Sequence, residues 1–300
     1  MPMTKLPRPE LTLTLLLAAS VIVGWQPLRA TFLLALHNDQ YTHVLLILPL
    51  SVALIVLDWP RVRHVVAPSI VLGSTIVGVA VVTAVASAVL AGSLPGDVRL
   101  SVQMFALVLF WIGACFLCLG SRVGRALIFP LCFLLWLVPV PQFLLTAIIN
   151  LLQQGSALSA HWLFAAAGVP VSQDGFVLTI PGLSVEVAEE CSSIRSSSML
   201  LVTTMLLAQV LLRSPWRKTL VIAVAVPLSV AKNGLRIFVI AMLGTRVDPG
   251  YLTGRLHHQG GIIFFAAALM VVLGLIWILK RGESQATSAS TVPRASVSSG

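Results

Sequence analysis

Apolar residues in this chain neither alternate with polar ones nor keep to one helical stripe. They come in long runs closed by charges, Pro or Gly, near residues 11–27, 43–57, 65–91, 100–119, 126–141, 196–212, 219–243 and 258–279. A helix rises about 1.5 Å per residue, so roughly 20 apolar residues cross a bilayer core. The runs therefore predict about eight transmembrane helices. Between the fifth and sixth lies 143–167, apolar but interrupted by Asn150, Gln153, Gln154, Ser156, Ser159 and His161, a pattern that suits a helix lying in the outer membrane interface. Beyond it, 176–180 and 183–187 alternate about Pro181-Gly182, which predicts a short hairpin. The expected fold is an all-α integral membrane protein with about eight transmembrane helices, an outer-face interfacial helix and a short hairpin between spans five and six.

Composition agrees. Of 300 residues, 58% are hydrophobic and 10% charged, whereas soluble domains carry about 25% charged residues. The net charge of +9 would suggest nucleic acid in a soluble protein, but its placement points to membrane topology. With the N-terminus in the cytoplasm, twelve of the nineteen basic residues fall on the cytoplasmic side: Lys5, Arg8, Arg61, Arg63, Arg122, Arg125, Arg213, Arg217, Lys218, Lys280, Arg281 and Arg294. Only Glu10, Asp58 and Glu283 oppose them there. The other seven basic and seven acidic residues cancel, so the whole excess orients the chain. Membrane lipids, not nucleic acid, are the expected surroundings.

The chain divides into a cytoplasmic N-terminus (1–10), a polytopic domain (11–281) and a Ser/Thr/Ala-rich tail (282–300) expected to be disordered. Lys5 and Arg8 before the apolar run resemble the start of a signal peptide, but Trp25, Gln26 and Pro27 offer no small-residue cleavage site, so the first helix is expected to be retained. Cys115, Cys118 and Cys132 lie inside apolar runs and read as packing residues. The Cys115-x-x-Cys118 pair lacks the strand context of a redox motif.

Three polar clusters sit at membrane depth, where ionisable groups mark function by default. They are Glu189-Glu190-Cys191-Ser192-Ser193-Ile194-Arg195 at the start of span six, Lys232-Asn233-Gly234-Leu235-Arg236 in span seven and Arg255-Leu256-His257-His258-Gln259 at the start of span eight. The predicted topology puts all three at the outer face. A thiol, a guanidinium and an imidazole at one level can perform nucleophilic catalysis. The thiolate is favoured by a helix N-terminus and nearby cations, an imidazole moves the proton and a guanidinium stabilises an oxyanion. Glu189 and Glu190 oppose thiolate formation, and so are expected to pair with Arg195, Lys232 or Arg255 or to hold a basic substrate. Lys232 and Arg236 share a helix face, and Lys232 reads as a supporting or substrate-orienting group. No carboxylate-rich ligand set accompanies the adjacent histidines, so neither a metal nor an organic cofactor is expected.

The segment Cys191-Ser192-Ser193-Ile194-Arg195, the segment Asn233-Gly234-Leu235-Arg236-Ile237 and the segment His257-His258-Gln259-Gly260-Gly261-Ile262-Ile263-Phe264-Phe265 resemble, in order, the three signature regions of the exosortase/archaeosortase family. Ser193 stands where many members carry Gly. The resemblance covers roughly residues 40–280. It implies a bacterial inner-membrane cysteine protease or transpeptidase, with its active site facing the periplasm or exterior. It further implies a catalytic Cys191, Arg236 and His257, with His258 in reserve and Glu189, Glu190, Arg195, Lys232 and Asn233 in support. The implied partners are exported proteins ending in a short motif of the PEP-CTERM type, a transmembrane helix and a basic tail, with an envelope glycan or lipid as acceptor. Two rival readings are an envelope glycan or lipid transporter, which would use the charges but not Cys191, and a non-catalytic membrane protein of an exopolysaccharide pathway. The inner halves of spans six to eight are apolar, which counts against a through-pathway.

Overall fold

The computed structural model describes residues 9–187, 194–252 and 255–290, with the side chains of 252–260 and 284–290 excepted. It is almost wholly helical. Among the described residues seven helices are long and apolar enough to cross a membrane, and a bent pair near the N-terminus makes up to eight. The chain forms two compact units, Met1–Thr146 and Ala147–Gly300.

In the first unit the expected opening span is two helices, α1 (Pro9–Val23) and α2 (Trp25–His37), bent by 73°. The break falls at Gly24, and Pro27 sits in the first turn of α2, where its missing N–H forfeits no helical bond. Next come α3 (Val44–Val62), α4 (Ile70–Val89) and α5 (Gly96–Leu119). α5 supplies the core, burying Met104, Val108, Trp111, Ile112, Phe116 and both Cys115 and Cys118. α4 lies along it, with Gly73 against Leu117 and Gly113 against Val77, the small-residue contact that lipid-solvated helices use to approach. Trp111 Nε1 donates to Ser20 Oγ at 2.8 Å and ties α1 to α5.

The stretch expected as span five differs from a single helix. It is divided into α6 (Ser121–Ala126), α7 (Ile128–Phe133) and a 3-10 turn over Leu134–Leu137. Pro130, Pro139 and Pro141 remove backbone donors here, so no regular helix persists across 126–141. The broken segment still returns the chain to the N-terminal end of α5. There Gln142 N–H donates to Asp97 Oδ2 at 2.7 Å, and Tyr41 Oη donates to the Val140 carbonyl at 2.9 Å.

α8 (Gln142–Ala166) is the helix expected in the interface. It is unbroken over 25 residues, and by length and composition it also suffices for a crossing. In the second unit it leads into a three-stranded antiparallel sheet of β1 (Ser172–Asp174), β2 (Val177–Ile180) and β3 (Leu183–Glu186). The predicted hairpin is β2–β3, in register Ile180↔Leu183 to Val177↔Glu186. Its turn places Gly182 at φ 83°, which glycine adopts without strain. β1 is an additional strand. Leu178, Ile180 and Val187 pack with Ala157, Ala160 and Phe164 of α8 and with Ile237 and Ala241.

The unit is completed by α9 (Ile194–Leu211), α10 (Pro215–Arg246) and α11 (Arg255–Ser290). They share a core of Leu200, Ala208, Val221, Ala268, Val272 and Ile276. α10 runs through Pro227 as one helix. Where α9 turns into α10, Glu283 accepts from the backbone N–H of Arg213 at 3.1 Å and of Ser214 at 2.8 Å. Arg217 Nη1 donates to the Leu279 carbonyl at 2.7 Å. α11 thus continues past Gly282, where composition predicts the start of a disordered tail, as far as Ser290.

Candidate functional site

Lys232 and Asn233 are buried on α10, 6% and 1% exposed, in a chain where only 10% of residues are charged. A buried ammonium needs acceptors, and Lys232 Nζ donates to Ser196 Oγ in the first turn of α9. Asn233 Nδ2 donates to Ser156 Oγ of α8 at 2.9 Å, and Ser156 is itself 1% exposed. Next to it, Gly234 allows the close approach of α8. A Cβ at this position would stand 3.0 Å from the Ala160 nitrogen and closer still to the Ser159 hydroxyl. The Asn-Gly pair therefore joins two helices, one residue by a hydrogen bond and the other by the absence of a side chain.

One turn below Ser156 on α8, the buried Gln153 donates through Nε2 to the Val187 carbonyl at 2.9 Å. Val187 follows β3 and is itself buried. On either side of 188–193 the described chain is held: Val187 by Gln153, and Ser196 by Lys232. Glu189, Glu190 and Cys191 lie outside the described residues. Arg195 stands exposed in the first turn of α9. Arg236 is half-buried one turn beyond Lys232, and both arginines take part in interactions. His257 and His258 occupy the first turn of α11, and their side chains lie outside the described residues.

The three helices meet at one end and run in register from it. The Ser196–Lys232 bond fixes the start of α9 beside the later part of α10, and the Glu283 contacts fix the opposite ends of α9, α10 and α11 together. The start of α9 therefore belongs to the same end of the unit as the start of α11. Chemically this end offers a buried ammonium, a guanidinium one turn away and the N-terminus of α9, all of which favour an anion.

Three partners were not identified as site residues by sequence reading: Gln153, Ser156 and Ser159. Their only signal was polarity within an apolar helix, and that polarity equally describes a face toward water. At the far end of the hairpin a cleft of about 220 Å³ is lined by Gly168, Pro170, Ile180, Pro181, Thr245 and Arg246.

Residues 25–274 match the family model described as transmembrane exosortase. The chain belongs to the transmembrane exosortase family. No curated protein and no solved structure matches it. The match runs from the start of α2 into α11 and spans all three polar clusters of this exosortase, so Val187, Ser196 and the Asn233-Gly234 contact fall within the matched residues. Membership supports a membrane transpeptidase or protease role in general terms and implies exported proteins with sorting signals as substrates.

Proposed function

We propose that this exosortase is a cysteine peptidase or transpeptidase that cleaves the C-terminal sorting signal of exported proteins at the outer face of a bacterial inner membrane. The observation that carries the reading is that the described residues on either side of Cys191 are each held by a buried side chain, Val187 by Gln153 and Ser196 by Lys232, and such flanks support a positioned nucleophile. Cys191 precedes the first residue of α9 by three positions in the sequence, and in this reading a helix N-terminus favours its thiolate.

In this mechanism the Cys191 sulfur attacks the scissile carbonyl and Arg236 hydrogen-bonds the developing oxyanion. His257, with His258 in reserve, takes the thiol proton and delivers it to the leaving amine. Glu189, Glu190, Arg195 and Asn233 hold the surrounding chain and substrate. The thioester is then resolved by water or by an amine or hydroxyl of an envelope glycan or lipid acceptor. No metal or organic cofactor enters these steps.

The test uses an exported reporter fused to a C-terminal segment with a short Pro-containing motif, one transmembrane helix and a basic end, expressed with the full chain. Loss of the C-terminal helix is followed by mass. Cys191→Ala and Cys191→Ser abolish processing while the protein accumulates normally; processing at the wild-type level in both variants would remove Cys191 from the mechanism.

A further inference from the structure

β3 is an edge strand. Val187 N–H donates to the Phe176 carbonyl at 2.9 Å, and the register pairs Val177 with Glu186 and Thr179 with Ser184. In an antiparallel ladder, bonded and non-bonded pairs alternate. Leu183, Val185 and the Val187 N–H therefore turn toward the β2 side, and the N–H and C=O of Ser184 and Glu186 point away from the sheet. Among the described residues no backbone group pairs with these two rungs, and both residues are exposed. One face of the strand is engaged, since Leu183 and Val185 pack against the cluster that includes Ile237 and Ala241. Among the described residues the edge is open.

The chain leaving this edge reaches Cys191 four residues after Val187, at most about 14 Å of extended chain. A peptide segment can be cleaved only when its backbone is extended and reachable, and an open strand edge binds such a segment through main-chain hydrogen bonds. The exposed Glu186 has no ion-pair partner among the described residues, so it adds complementarity for a basic side chain. We propose that the free edge of β3 is the docking rail of this enzyme: the cleavage segment of the exported substrate adds to the sheet as a fourth strand on the Ser184 and Glu186 rungs and is carried from there to Cys191. The proposal rests on the peptidase reading above.

Proline substitution tests the rail, because it deletes one outward N–H and leaves the backbone bonds to β2 intact at these positions, although Ser184→Pro also removes the side-chain contact to Thr179 Oγ1 at 3.3 Å. Ser184→Pro and Glu186→Pro are each expected to slow reporter processing roughly tenfold, the loss of a main-chain bond. Gln173→Pro makes the same change at the outward rung of β1 on the other edge and is expected to stay within about twofold. In the Cys191→Ala background, a benzoylphenylalanine photocrosslinker in place of Ser184 is expected to capture the reporter, and one in place of Gln173 is not. Adducts only with a second copy of the chain, equal capture or equal slowing at both edges, or neutral Ser184→Pro and Glu186→Pro variants with no adduct would overturn the rail. These outcomes are separate from the peptidase reading, which fails if processing continues in Cys191→Ala whatever is captured at position 184.

Discussion

Asn233 Nδ2 donates to Ser156 Oγ across 2.9 Å in a layer where each residue is only 1% exposed. This bond joins α8 to α10 at the level of the candidate site, and neither partner can turn to water instead. Asn233→Ala therefore leaves the serine hydroxyl unmatched, a loss of about 1–3 kcal/mol. Thermal unfolding in detergent is expected to show a lowered Tm, and Asn233→Ala/Ser156→Ala is expected to recover part of it. A double variant whose loss equals the sum of the Asn233→Ala and Ser156→Ala losses would mean that the two side chains are not coupled.

Gly234 makes a converse prediction. Its position against Ser159 and the Ala160 nitrogen leaves no room for a methyl group, so Gly234→Ala is expected to destabilise by about 1–3 kcal/mol through overpacking. Adding Ser159→Gly opens the space, and Tm is expected to rise again in the double variant.

Lys232 and Ser196 separate a charge from its acceptor. Lys232→Met removes a buried charge together with its desolvation penalty, so the fold is expected to be as stable as the wild type or more so. Ser196→Ala leaves the ammonium short of an acceptor and is expected to lower Tm. Reporter processing gives an independent measure: Lys232→Met is expected to reduce it despite its stability, because the anchor after Cys191 is gone.

Arg236 is half-buried one turn beyond Lys232, and a guanidinium there has a geometry that an ammonium cannot copy. Arg236→Lys is expected to slow processing about 10²–10³-fold, the scale of a lost oxyanion donor, with Tm little changed. A rate close to wild type would make the residue a structural cation.

The extent of what the sequence discloses follows from where each determinant lies. α3, α4, α5, α9, α10 and the apolar body of α11 are legible because a crossing needs only a long apolar run, which is a local property. The bend at Gly24 and the division of span five depend on a few Gly and Pro residues inside such runs, which a sum over apolarity does not weigh. β1 is invisible because Ser172-Gln173-Asp174 has no apolar alternation and becomes a strand only by pairing with β2. At the site, Lys232, Asn233 and Arg236 stand out because ionisable and amide groups at membrane depth need a reason. The roles of Gln153 and Ser156 do not stand out, because they are set by which helix lies opposite, and that is a long-range fact. The placement of Cys191 and the imidazoles of His257 and His258 falls outside the described residues.

The clasp of Glu283 on Arg213 and Ser214 acts on a helix that also carries His257 in its first turn. Those two positions are 26 residues apart on one continuous rod, about 39 Å at helical rise. Fastening one end of such a rod sets the depth and azimuth of the other. One residue inserted or deleted between 261 and 282 would move the histidine about 1.5 Å along the axis and turn it by about 100°, so the length of α11 is a ruler that sets histidine depth from the opposite end of the bundle.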